Sequence, residues 1–125
     1  MKQVINAENA PKAIGPYSHA NRVGKMVFTS GQIGLNPETG ELANGVEAQT
    51  IQAINNLKAV LEAAGASLAG IVKTTVFVKN MSDFALVNKL YGMLIPEPFP
   101  ARSCVEVAAL PAGALVEIEA MAVVL

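Results

Sequence analysis

The run Pro100-Ala101-Arg102-Ser103-Cys104-Val105-Glu106-Val107 reads as a β-strand that sets a guanidinium among largely apolar neighbours. A second run, Leu115-Val116-Glu117-Ile118-Glu119-Ala120-Met121-Ala122-Val123, reads as another strand and carries carboxylates in equally apolar company. Period-two alternation puts Arg102, Cys104 and Glu106 on one face of the first strand and Ser103, Val105 and Val107 on the other. On the second strand Glu117, Glu119, Met121 and Val123 share a face opposite Val116, Ile118, Ala120 and Ala122. The acid-bearing face is too apolar for open water and too charged for a plain core. A subunit interface that encloses a polar site satisfies both properties.

The elements before this pair set the fold class. Pro96 and Pro98 stop a helix carrying Phe84, Val87, Tyr91 and Leu94 on one stripe, with Ser82 or Asp83 able to cap its start. Ile71 to Val78 reads as a strand, with Val72, Thr74, Val76 and Val78 on one face and Ile71, Lys73, Thr75 and Phe77 on the other. A longer helix is expected from about Val46 to Ala64: Ile54, Leu57, Leu61 and Ala64 recur at helical spacing, and Gly65 suits the position just past its end. Asn36 to Gly40 is a turn, residues 25–33 are β-rich, and Gly31 is a bulge or a point of close approach. Residues 6–17, with Pro11, Gly15 and Pro16, read as an ordered loop. The order is strands, helix, strand, helix, two strands. It predicts an α+β domain in which two helices cover one face of a mixed sheet of about four to six strands. Residues 1–125 are expected to form a single domain, without repeat or linker.

Composition narrows the function classes. Charged residues are 15% of the chain, against roughly 25% in an average soluble protein. Apolar residues make up 52%. A small domain has much surface to solvate, so the shortage of charge points to surface hidden by self-association. The net charge of −1, with no cluster of Lys and Arg, gives no electrostatic basis for binding nucleic acid. No apolar run approaches a membrane span, the N-terminal residues lack a signal-peptide apolar core, and one Cys fits a reducing cytoplasm. One Cys and one His are too few soft ligands for a zinc site.

Arg102 is the first candidate for chemistry. Either it pairs structurally with Glu106, Glu117 or Glu119, or it clamps a ligand carboxylate in bidentate fashion. Glu117 is either a solvated strand residue or, if enclosed, a carboxyl whose pKa rises toward the range of proton transfer. Glu119 lies on the same face, and spacing does not choose between them. One Arg to hold a carboxylate and one Glu to handle a proton suffice for an enzyme acting on a small acid. Cys104 reads as a small core residue rather than a nucleophile. His19 reads as exposed rather than catalytic. Tyr17, after Gly-Pro, is either a packing aromatic or a phenol held over a pocket. Ser30-Gly31 offers a backbone N–H to an anion, and Asn88 lies on the polar side of its helix.

Together these segments resemble the RidA (YjgF) family of reactive intermediate deaminases. The resemblance rests on Ala10-Pro11-Lys12-Ala13-Ile14-Gly15-Pro16-Tyr17-Ser18, Ser30-Gly31-Gln32, Val72 to Val78, Pro100 to Val107 and Val116 to Ala120, in order over nearly the whole chain. It implies a chorismate-mutase-like fold and a homotrimer whose sheets form a central barrel with clefts between subunits. It implies hydrolysis of 2-iminopropanoate and 2-iminobutanoate, and their enamine tautomers, to 2-keto acids and ammonia, with no metal or organic cofactor. By resemblance Arg102 binds the carboxylate and Glu117 acts on water and the imine nitrogen. Tyr17 lines the pocket from a neighbouring subunit, Gly31 and Cys104 contribute backbone groups, and Ser30 and Asn88 lie nearby.

The chain departs from relatives at Met93-Leu94-Ile95, where many carry an aromatic pair, and at His19, Gly34 and Ala109. Two other readings use the same residues. One is a ribonuclease or translation inhibitor. The other is a non-catalytic regulatory trimer that binds a 2-keto acid.

Overall fold

The computed structural model describes residues 1–125. Seven strands form one sheet: β1 (Gln3–Ile5), β2 (Ala20–Val23), β3 (Met26–Thr29), β4 (Gln32–Ile33), β5 (Ile71–Val78), β6 (Ala101–Glu106) and β7 (Val116–Val123). Their spatial order is β1-β2-β3-β7-β5-β6, and β4 also pairs with β7, beyond the end of β3. All pairings are antiparallel except β5 with β6, so the sheet is mixed. The parallel pair requires a crossover, which helix α2 (Phe84–Leu94) provides. Helix α1 (Val46–Ala63) spans from β4 to β5 in the same way, over β7.

The sheet exceeds the expected four to six strands because β1 and β2 are short and lack a distinctive pattern, and because residues 25–33 divide at Ser30-Gly31 into β3 and β4. Both helices cover one face. Val116, Ile118, Ala120 and Ala122 of β7 and Val76 and Val78 of β5 meet Ile54, Leu57, Val60 and Leu61 of α1 and Val87 and Tyr91 of α2 in a single core. Roughly 1.5–3 kcal/mol attaches to each fully buried large side chain, so this layer supplies most of the stability. The opposite face carries no helix and leaves Phe28, Val105 and Met121 well exposed.

Strand β5 alternates as expected from Thr74 onward, but its first turn is out of phase. Ile71 pairs with Ala122 and Lys73 with the adjacent Met121, so Val72 is an extra, bulged residue. Ile71 is therefore buried and Val72 exposed, the reverse of strict alternation.

Helix α1 ends as its sequence dictates. Gly65 has φ 84°, Ala66 N–H donates to Leu61 O and Gly65 N–H to Glu62 O, which is a Schellman closure. Arg22 adds a hydrogen bond from its guanidinium to Ala64 O. The start of α2 differs in part from expectation. Asp83 takes the N-cap position as one of the two expected residues, but its side chain makes no capping hydrogen bond; a 3₁₀ turn over Met81–Asp83 precedes the helix, and the Glu106 carboxylate of β6 accepts the Met81 N–H at 2.7 Å. A carboxylate from a distant strand thus takes the place of a local cap.

Buried polar side chains on α1 tie down the loops around β4. Asn56 Nδ2 donates to Ile33 O at 3.0 Å and Leu35 O at 2.8 Å. Gln49 donates to Ala43 O and accepts from Leu115 N–H, joining the 34–43 loop to the entry of β7. No helix is long and apolar enough to cross a membrane.

Candidate active site

Glu117 lies on the open face of β7, opposite Phe77 of β5 and Ile33 of β4. Its side chain folds over Gly31. A Cβ built there would stand 2.7–2.9 Å from the Glu117 Cγ, Cδ and Oε2 atoms. Gly31 is thus the expected point of close approach, and what approaches is the candidate catalytic acid. Burial pushes the Glu117 pKa upward, and the Glu119 carboxylate beside it adds to the shift. Glu119 is exposed. The enclosure that spacing alone left open therefore belongs to Glu117.

The carboxyl opens into a cleft of about 420 Å³ that Tyr17, Ser30, Gly31, Glu119 and Pro111 also line. Three contacts fix the 6–17 loop beside it. His19 is buried rather than exposed; its Nδ1 accepts from Ala7 N–H at 2.9 Å, and its Nε2 donates to Pro11 O at 2.7 Å. These partners require the neutral ring with the proton on Nε2. The Ser30 hydroxyl donates to Ser18 O at 2.6 Å, so it braces the loop. Tyr17 projects from this braced loop and is half exposed.

Arg102 sits elsewhere. Its register partner is Thr74, which is fully buried beneath α2, so the guanidinium lies on the helix-covered face at the edge strand. It lines a separate cleft of about 310 Å³ with Asn88, Tyr91, Gly92, Phe99 and Pro100. None of the acids considered for a structural pair engages it. Glu117 and Glu119 are on the other face, and Glu106 is spent on Met81. The guanidinium instead stacks 4.9 Å from the Tyr91 ring centroid and 5.4 Å from that of Phe84. Cys104 follows two residues on. Burial raises its thiol pKa, only partly offset by the Arg102 charge, which disfavours the thiolate a nucleophile needs.

The candidate residues of one chain therefore fall on two separate clefts. Tyr17, Ser30, Gly31 and Glu117 share one cleft; Arg102 and Asn88 share another, with Cys104 beside them on β6. Tyr17 lines the Glu117 cleft of the chain and not the Arg102 cleft. Met93-Leu94-Ile95 does not line the Arg102 cleft, and Ile95 is a core residue. Sequence reasoning missed Tyr91 as the surface under Arg102, because its place on the apolar stripe of α2 marks it only as core. No group of three or more His, Cys, Asp and Glu side chains comes together.

The close approach at Gly31 yields a test. Gly31→Ala has only the end of a flexible side chain to displace, so the fold should survive with little loss of melting temperature. The carboxyl must move, and activity that depends on Glu117 should fall about tenfold or more. Unchanged turnover in a folded Gly31→Ala protein would show that the seat of Glu117 is unimportant.

Comparison with known proteins defines the class to which this fold and these clefts belong. The Endoribonuclease L-PSP family matches residues 7–124, and the chain belongs to that family. It is 54% identical over 126 residues to a protein of Escherichia coli K12 named 2-iminobutanoate/2-iminopropanoate deaminase, covering 98% of each chain. The crystal structure of RidA from an Antarctic Psychrobacter superposes with a TM-score of 0.95 at 48% identity, over 97% of this chain and 98% of that one. The structure of Escherichia coli TdcF with bound serine superposes with a TM-score of 0.93 at 44% identity, over 97% and 98%.

Proposed function

We propose that this chain is a cofactor-independent deaminase that hydrolyses 2-iminopropanoate, 2-iminobutanoate and their enamine tautomers to 2-keto acids and ammonia. One observation carries the reading: the Arg102 fork and the Glu117 carboxyl are each left without an internal partner, on clefts that one chain cannot bring together. A fork without a partner suits a substrate carboxylate. A carboxyl of raised pKa suits proton exchange. Near-full-length relatives named as deaminases of this kind support the choice of substrate.

The chemistry follows from these groups. Arg102 holds the carboxylate of the imino acid. Water attacks C2 of the protonated imine and gives a proton to Glu117 as the C–O bond forms. Glu117 returns that proton to the amine nitrogen. As the C–N bond breaks, the Glu117 carboxylate takes the proton of the C2 hydroxyl and the C=O bond forms. The 2-keto acid and ammonia leave, the last proton passing from Glu117 to ammonia or to solvent. Such imines already hydrolyse in water, so a positioned acid–base contributing about 10²- to 10⁴-fold is sufficient. The backbone at Gly31 and Cys104, the side chains of Ser30 and Asn88 and the phenol of Tyr17 shape the site. No metal or organic cofactor enters these steps.

The assembly we propose is a homotrimer in which the helix-free sheet faces form a central barrel and Arg102 of one subunit meets Glu117 of the next. The exposed Phe28, Val105 and Met121 and the unpaired β6 edge support it. A reducing cytoplasm suits the free Cys104. The net charge of −1 gives RNA binding no electrostatic drive, which disfavours the ribonuclease reading. The regulatory 2-keto-acid-binding reading needs the same Arg102 clamp but no role for the Glu117 carboxyl.

An amino-acid oxidase that generates imines in situ provides the test. Ammonia release should accelerate when the protein is added, and sedimentation should give about three times the 13.0 kDa chain mass. A monomer would sink the shared site. A trimer that binds pyruvate without accelerating ammonia release would favour the regulatory reading.

A further inference from the structure

We infer that Tyr91 is the positioning residue for Arg102: its ring, anchored through its hydroxyl to Thr74, holds the guanidinium ready for a carboxylate without neutralising it. The inference rests on the proposed role of Arg102 and concerns what keeps that side chain in place.

Half-buried arginines are commonly fixed by a carboxylate, which satisfies the fork but also competes with an anionic ligand. Here the nearest acid on the same strand face, Glu106, is committed to Met81 N–H. The fork is held by aromatic faces instead, Tyr91 at 4.9 Å and Phe84 at 5.4 Å. A π face attracts the cation yet leaves its N–H donors and net charge available.

The ring is itself immobile. Tyr91 is 4% exposed, and its hydroxyl lies 2.6 Å from the Thr74 Oγ1 atom, which is buried too. Thr74 is also the register partner of Arg102 on the adjacent strand. The restraint thus runs from β5 through α2 to β6 and back, a closed loop of three elements. Burial raises the Tyr91 pKa despite the Thr74 hydrogen bond and the Arg102 charge, so the phenol stays neutral and its proton is available to the bond with Thr74. A side chain fixed in this way loses little rotamer freedom when the ligand arrives.

The test compares Tyr91→Phe, Tyr91→Leu and wild type in pyruvate titration and in imine turnover. Tyr91→Leu should raise the pyruvate Kd and the KM for imino acid together, by about tenfold, with kcat within about threefold. Tyr91→Phe keeps the stacking ring but loses its anchor to Thr74, so it should fall between wild type and Tyr91→Leu on both readouts. A Phe protein as impaired as the Leu protein would show that the ring face is not what holds Arg102. In an Arg102→Ala background, Tyr91→Leu should produce no further loss of pyruvate affinity. An unchanged Kd in Tyr91→Leu, an equal loss in the Arg102→Ala background, or a fall in kcat alone would overturn the inference. If Tyr91→Leu does not assemble, Phe84→Leu replaces it. A rise of about threefold in Kd is then expected, and no rise overturns the inference. Wild-type protein that binds pyruvate without turnover refutes the deaminase reading but leaves the Kd test of Tyr91 intact. Wild-type protein that binds no 2-keto acid at all refutes both.

Discussion

Replacing Arg102 with alanine is expected to lower kcat/KM for imine hydrolysis by about 10²-fold or more, in a protein that still folds and assembles. The fold should survive because the guanidinium satisfies no internal acceptor and β6 pairs with β5 through its backbone. Losing a charge-assisted contact in a desolvated site costs about 2–5 kcal/mol, which sets the size of the effect. Pyruvate affinity should fall with it. Arg102→Lys should recover little, because a point charge cannot reproduce the planar fork and stacks less well on Tyr91 and Phe84. Steady-state kinetics beside pyruvate titration decides the matter, and wild-type activity in the Lys protein would mean that the clamp is not bidentate.

Glu117→Gln is expected to separate binding from chemistry. The amide is nearly isosteric and can rest on Gly31 as the carboxyl does. Pyruvate should still bind through Arg102, while turnover falls by about 10²-fold or more because an amide cannot exchange protons between water and the leaving nitrogen. Glu119→Gln, in the exposed neighbour lining the same cleft, should lose far less. The wild-type pH profile carries the same information. Glu117 must be ionised to accept a proton from water, and its pKa is raised, so activity should decline with falling pH at a midpoint above the ordinary value of 4.5. Glu119 and Lys12 also line the cleft, and the Glu119→Gln protein should retain this acid limb. Loss of turnover in Glu119→Gln but not in Glu117→Gln would reassign the catalytic acid.

The amphipathic elements were legible because their side-chain periods are unambiguous. The apolar stripe of α1, its Gly65 closure and the alternating faces of β7 need only the spacing of apolar residues. The phase error at Ile71 and Val72 came from a bulge, which leaves no mark in a run of β-branched residues. Asp83 marks the start of α2 in the sequence, but the acceptor that serves the turn before it, Glu106, lies 25 residues from Met81 and leaves no local signal. Arg102 and Glu117 stood out as charges in apolar runs. Which acid is enclosed depended on a register, Ile33 beside Glu117, that brings Gly31 under the carboxyl and that no local pattern encodes. The separation of the two charges was partly visible. Their strand faces could be assigned within each run, but the relation between the runs waited on the pairing of both strands with β5.

If the two clefts meet across subunits as proposed, that separation makes the catalytic unit a property of pairs of chains. In the proposed cyclic trimer, a subunit lacking Arg102 can still lend its Glu117 to one neighbour, and a subunit lacking Glu117 can lend its Arg102 to the other. Two inactive proteins, Arg102→Ala and Glu117→Gln, should therefore regain activity when co-expressed. Random mixing in equal amounts restores about a quarter of the sites, since each needs an intact donor on both sides of one boundary. Heterozygosity, ordinarily a dilution of function, becomes for this architecture a source of it.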